Sequence, residues 1–122
     1  MKKASHKILI IDDEPDVIRA VQLTITIQEP EWQVIAAHKG EAGLDLVDTE
    51  APDLVLLDAM MPGRDGWELL LELKRDRGTR EIPVVLCSVL DEPRLALSLG
   101  AAGYLHKPID QGQLVGALSR FR

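Results

Sequence analysis

Five short apolar runs, separated by stretches of helical periodicity, leave this chain very few architectures. The runs are KILII (Lys7–Ile11), WQVIAA (Trp32–Ala37), DLVLLD (Asp53–Asp58), PVVLCS (Pro83–Ser88) and GYLHK (Gly103–Lys107). The first, third and fourth are apolar almost throughout, as expected of central parallel strands covered on both faces. Between them, Pro15 suits the first residue of a helix carrying Val17, Ile18 and Val21 on one face. Leu69, Leu70 and Leu73 make a second stripe, and Leu114, Val115, Leu118 and Phe121 the last. Pro52-Asp53, Pro62-Gly63, Asp65-Gly66 and Gly100 punctuate the joints. Strand–helix alternation in 122 residues predicts right-handed crossovers and an α/β fold: a doubly wound five-stranded parallel sheet, order 2-1-3-4-5, with helices on both faces.

In such sheets ligands bind beyond the carboxyl ends of the strands, at the switch point between the first and third. Here the first strand ends in Asp12 and Asp13 (DDEPD), the third in Asp58, the fourth in Ser88 and the fifth in Lys107-Pro108. Each residue alone has an ordinary explanation. Asp13 or Glu14 before Pro15 also suits a helix N-cap, Asp58 a turn cap, Ser88 a turn hydroxyl and Lys107 a solvated charge. Their arrival on one rim of one sheet has no such explanation. Clustered carboxylates raise one another's pKa unless compensated, and Lys107 and a divalent cation are the two remedies at hand. Oxygen-only ligands favour Mg²⁺ over zinc, and Mg²⁺ usually shares its shell with phosphate oxygens. If phosphate comes here, Asp58 is the natural nucleophile, forming an acyl phosphate by positioning and charge neutralisation.

Composition narrows the alternatives. A formal charge of −6 with no Lys/Arg cluster argues against direct nucleic-acid binding. The apolar pentad after MKKASH is too short for a signal h-region, and no run approaches membrane-spanning length. The one cysteine, Cys87, fits a reducing cytoplasm and reads as a core thiol. His6, His38 and His106 lack metal-ligand spacing and are expected at the surface or an edge. Trp67 and Leu71, off the leucine stripe, are expected to form a small exposed apolar contact. The 1–122 chain is expected to be one domain, core 7–121, with no effector domain within it.

The runs ILIIDDEPD, PDLVLLDAMMPGRDG, PVVLCS and GAAGYLHKP, in this order, resemble a response-regulator receiver domain of two-component signalling. The resemblance implies that Asp58 accepts a phosphoryl group from a histidine kinase or histidine phosphotransfer domain. It implies Mg²⁺ held by Asp12, Asp13, Asp58 and the main-chain carbonyl of Met60. Ser88 takes the hydroxyl switch position, Lys107 the phosphate-pairing lysine and Tyr104 the aromatic switch. The Lys107-Pro108 bond resembles the family's cis peptide, aiming the ammonium back across the strand ends. The face of the fourth helix, fifth strand and fifth helix is the implied readout, toward an output partner or a second copy of the chain. The resemblance further implies a domain that catalyses its own modification and is not a turnover enzyme.

Departures from the family pattern carry their own expectations. Ser88 to Gly100 is about one helical turn short, so the fourth helix, from Pro93 to Leu99, is expected to be stubby. Val89, where the family usually has Ala or Gly, is expected to crowd the pocket. Met60 and Leu90 replace residues that often position hydrolytic water, which predicts slow autodephosphorylation. Three rivals are weaker. A phosphatase or mutase with a DxD nucleophile needs an acid where Met60 stands. A nucleotide-binding domain needs a glycine-rich loop where DDEPD stands. A pseudo-receiver acting only as a protein-binding module leaves the full set of Asp12, Asp13, Asp58, Ser88 and Lys107 without a use.

Overall fold

The computed structural model describes residues 6–121; Lys2 and Lys3, near the start, lie outside them. The elements run β1 (His6–Ile11), α1 (Pro15–Gln28), β2 (Trp32–Ala37), α2 (Gly40–Glu50), β3 (Leu54–Asp58), β4 (Met60–Met61), β5 (Arg64–Asp65), α3 (Gly66–Arg75), β6 (Val84–Ser88), α4 (Pro93–Ser98), β7 (Gly103–His106) and α5 (Gln111–Arg120). The main sheet has the order β2-β1-β3-β6-β7, and every pairing in it is parallel. Since β6 and β7 are its fourth and fifth members, this is the expected 2-1-3-4-5 arrangement.

Side-chain alternation divides the core in two. Ile8, Ile10, Leu54, Leu56, Val85 and Cys87 face α1 and α5 through Ile18, Val21, Ile25, Leu114 and Leu118. Leu9, Ile11, Val55, Leu57, Val84 and Leu86 face the other helices through Val47, Leu69, Leu70, Leu73 and Ala96. Central strands in this position must be apolar on both sides, which is why their sequence does not alternate. Each fully buried Leu or Ile contributes about 1.5–3 kcal/mol, so the middle of the sheet is the firmest part of the molecule.

Local signals set the helix starts. Asp65 Oδ1 accepts from Trp67 N at the head of α3, and Asp110 Oδ1 accepts from Gln113 N at the head of α5, both ordinary N-caps. The α4 helix has six residues, as short as its sequence interval implied, and Gly100 follows at φ 104°, where a Cβ would be strained. Among the described residues no helix is long and apolar enough to cross a membrane.

Three details differ from expectation. The β4–β5 hairpin was not anticipated; Pro62 and Gly63 turn it, with Gly63 at φ 75°, the positive φ that the third position of a type II turn requires. His6 is buried rather than at the surface, its ring centroid 4.9 Å from that of Trp32. Trp67 is half-buried against the α3-side core rather than forming an exposed contact.

Candidate functional site

Parallel neighbours end together, and this brings the polar residues to one place. Ile11 pairs with Leu57, so Asp12 and Asp58 emerge side by side from β1 and β3. Lys107 follows β7, its backbone N–H tied to the Ser88 carbonyl at 2.8 Å, and its bond to Pro108 is cis. Asp12, Asp58, Ser88 and Lys107 are all buried, whereas Asp13 is half-buried and Glu14 exposed. One carboxylate oxygen from each of Asp12, Asp13, Glu14 and Asp58 lies within 4.8 Å of the others.

The hydrogen bonds leave one oxygen over. Asp12 Oδ1 accepts from Glu14 N at 2.9 Å, and Asp12 Oδ2 from Lys107 Nζ at 2.9 Å. Asp58 Oδ1 accepts from Met60 N at 3.1 Å, which fixes the backbone two residues beyond the carboxylate. Asp58 Oδ2 is buried with no hydrogen-bond partner among the described residues. Lys107 Nζ stands 3.3 Å from it, close enough to attract but badly aligned to donate. The same ammonium lies 3.3 Å from Glu14 Oε1. A buried carboxylate oxygen without a donor costs a few kcal/mol unless a ligand completes it.

The electrostatics carry the same signature. Burial, reinforced by the Asp12 carboxylate, pushes Asp58 up to about 6 against the opposing pull of the Met60 N–H and Lys107. Burial alone would lower Lys107, but its bond to Asp12 and the charges of Asp12 and Asp58 raise it above the ordinary lysine value. It is therefore a permanent cation facing several carboxylates. A hard divalent cation with oxygen ligands fits this donor set and its excess negative charge; zinc, which prefers N and S donors, does not.

The β6 side of the site is built differently. Ser88 Oγ accepts from Leu90 N at 3.0 Å, so the hydroxyl braces its own loop. Val89 is exposed and, with Glu14 and Lys107, lines the groove of about 440 Å³ between α1 and the α5 entry. Met60 and Leu90 are exposed too, and with Trp67 they line a shallow apolar pocket of about 490 Å³. Tyr104 is half-buried, its hydroxyl at the limit of accepting from Glu92 N, 3.5 Å away. Cys87 is buried beside Asp58 on the adjoining strand, and burial raises its thiol far above the range of a reactive cysteine.

Two contributors escaped the sequence reading. By its position Glu14 suits a helix cap, but its side chain makes no cap bond and accepts from Lys107 Nζ instead. Gly66 lets the head of α3 press on the end of β3, since a Cβ there would lie 2.1 Å from the Asp58 carbonyl oxygen. In sequence an Asp-Gly pair signals a turn and carries no sign of this close packing.

Comparison with known proteins adds an independent line. The family model described as response regulator receiver domain matches residues 8–119. Response regulator PleD of Caulobacter vibrioides is 38% identical over 124 residues, an alignment that takes in 97% of this chain and 27% of PleD. The chain thus spans about a quarter of the length of the curated relatives it matches. The signal receiver domain of a DNA binding response regulator protein (merR) from Colwellia psychrerythraea 34H superposes with a TM-score of 0.88 at 26% identity, covering 95% of this chain and 97% of that one. The signal receiver domain of a signal transduction histidine kinase from Syntrophus aciditrophicus gives 0.80 at 30% identity, covering 96% and 89%.

Proposed function

The chain belongs to the response regulator receiver domain family, and from that premise we propose that it takes a phosphoryl group from a phosphohistidine onto Asp58. The donor is a histidine kinase or a histidine phosphotransfer domain in the cytoplasm. The observation that carries this reading is the buried Asp58 Oδ2, without a hydrogen-bond donor among the described residues, facing the Lys107 ammonium and flanked by further carboxylates.

Asp12, Asp13, Asp58 and the main-chain carbonyl of Met60 would hold Mg²⁺, whose chemistry there is to neutralise phosphoryl oxygens as charge builds on them. An Asp58 carboxylate oxygen attacks phosphorus in line. The P–N bond to the donor imidazole, which is protonated on its other ring nitrogen, breaks; its electron pair returns to the ring nitrogen, and the donor leaves as neutral histidine. Asp58 ends as an acyl phosphate. No general base is needed, because the nucleophile is already an anion above its raised pKa.

Lys107 then pairs with the new phosphoryl group, and Ser88 gives up its hold on Leu90 N to donate to a phosphoryl oxygen. Tyr104, tethered only at 3.5 Å, follows the loop inward and changes the α4–β7–α5 face offered to an output partner or a second copy. Exposed, apolar Met60 and Leu90 offer no group to orient water, which favours a long-lived acyl phosphate. The domain modifies itself and turns over no separate substrate.

Incubation with acetyl phosphate and Mg²⁺, read by intact mass, tests the assignment. Wild type is expected to gain one phosphoryl group and Asp58→Asn none. Addition that persists in the variant, or no addition to wild type, overturns it.

A further inference from the structure

Glu14 occupies the N-cap of α1, yet it does not cap. Ser, Thr, Asp and Asn are favoured there because a short side chain can accept from the first turn; Glu14 makes no such bond. Its backbone N–H goes to Asp12 Oδ1 and its carboxylate to Lys107 Nζ, at 2.9 and 3.3 Å. Lys107 Nζ is thus shared among Asp12 Oδ2, Glu14 Oε1 and the poorly aligned Asp58 Oδ2. The ammonium has three N–H donors, and its two hydrogen bonds go to Asp12 and Glu14 and not to Asp58.

We propose that Glu14 is a positioning residue that holds Lys107 back from the acceptor and so slows phosphoryl transfer to Asp58. The inference rests on the acceptor assignment above. Asp12 is buried and braced by a backbone donor, so its grip on the lysine is fixed. Glu14 has a side chain 60% exposed and is the grip that yields. A docking partner that neutralises or displaces this carboxylate lets the Lys107 ammonium turn toward the incoming group. Small-molecule donors carry nothing to displace it and feel the restraint in full.

An exposed ion pair is worth up to about 1 kcal/mol, so releasing the tether is expected to raise the rate with acetyl phosphate by roughly two- to fivefold. The test uses Glu14→Gln, which keeps length and loses charge, and Glu14→Asp, which keeps charge but is one methylene too short to reach Nζ. Asp16→Asn, whose carboxylate pairs with Arg19 on the surface, controls for net charge. Both Glu14 variants should react faster than wild type and shift the Lys107 ¹³Cε resonance, while Asp16→Asn does neither and Mg²⁺ affinity changes little. Acceleration by Glu14→Gln alone would mean simple charge repulsion and overturn the tether. Unchanged rates in both would overturn it as well, as would weakened Mg²⁺ binding with slower transfer, which makes Glu14 a ligand. Failure of wild type to be phosphorylated at all instead sinks the acceptor assignment.

Discussion

The two halves of the strand-end rim are held in opposite ways. On the β1–β3–β7 side, Asp12, Asp58 and Lys107 are buried, and one ammonium ties together side chains 95 positions apart in the chain. On the β6–α4 side, Ser88 braces its own loop, Val89 and Leu90 lie in solvent, and the six-residue α4 exposes Leu95 and Leu97. The first half is stiff because charge is concentrated and must be neutralised in place. The second is loosely held, with short-range bonds that break at little cost. A receiver needs both: a fixed place for chemistry, and beside it a segment whose arrangement a new charge can bias.

Removing the shared cation should do the most damage. Lys107→Ala leaves Asp12 and Asp58 buried and uncompensated, and breaking such a cluster costs on the order of 3 kcal/mol or more. Urea unfolding without Mg²⁺ should show that loss as a lower midpoint with an unchanged slope. A loss under about 0.5 kcal/mol would mean that the stiff half is not held by charge at all.

Asp58→Asn should act in the other direction. Burial raises the Asp58 carboxyl to about 6 in the folded protein, so the folded state binds this proton more tightly than the unfolded chain does. Its contribution to stability is full below the ordinary carboxylate value near 4 and is lost as pH rises through about 6. The amide carries no such dependence. Without Mg²⁺, the variant should gain on the order of 2 kcal/mol over wild type at pH 7 and have no advantage near pH 4. Thermal melts across that range would show a widening gap; a constant gap would place the origin outside this titration.

The smallest effect belongs to the loose half. Leu97→Gln, at an exposed position on α4, should shift stability by less than about 0.5 kcal/mol. Phosphoryl uptake should be unaffected. A penalty comparable with that of Lys107→Ala would erase the contrast between the halves.

Much of this was legible from residue patterns because it depends on period and position. Unalternating apolar runs gave the central strands, strand-end placement gave Asp12, Asp58, Ser88 and Lys107, and a short interval gave the stubby α4. What escaped depends on contacts between distant residues. Glu14 and Lys107 are 93 positions apart, and no local signal distinguishes a glutamate that caps from one that reaches across. His6 is buried because Trp32 lies beside it on the neighbouring strand, a pairing that follows only once register is known. The β4–β5 hairpin comprises two-residue strands, too short for any hydrophobic period to announce.

Cys87 is the only cysteine in the chain, and it sits on the sheet rung beside Asp58, sealed from solvent. A maleimide can reach it only when the helices α1 and α5 that cover this face of the sheet open. The thiol therefore works as a built-in clock: the pace at which it is consumed in native buffer counts openings of that layer, with no dye or engineered label. Any ligand that closes the rim above would register as a slower tick.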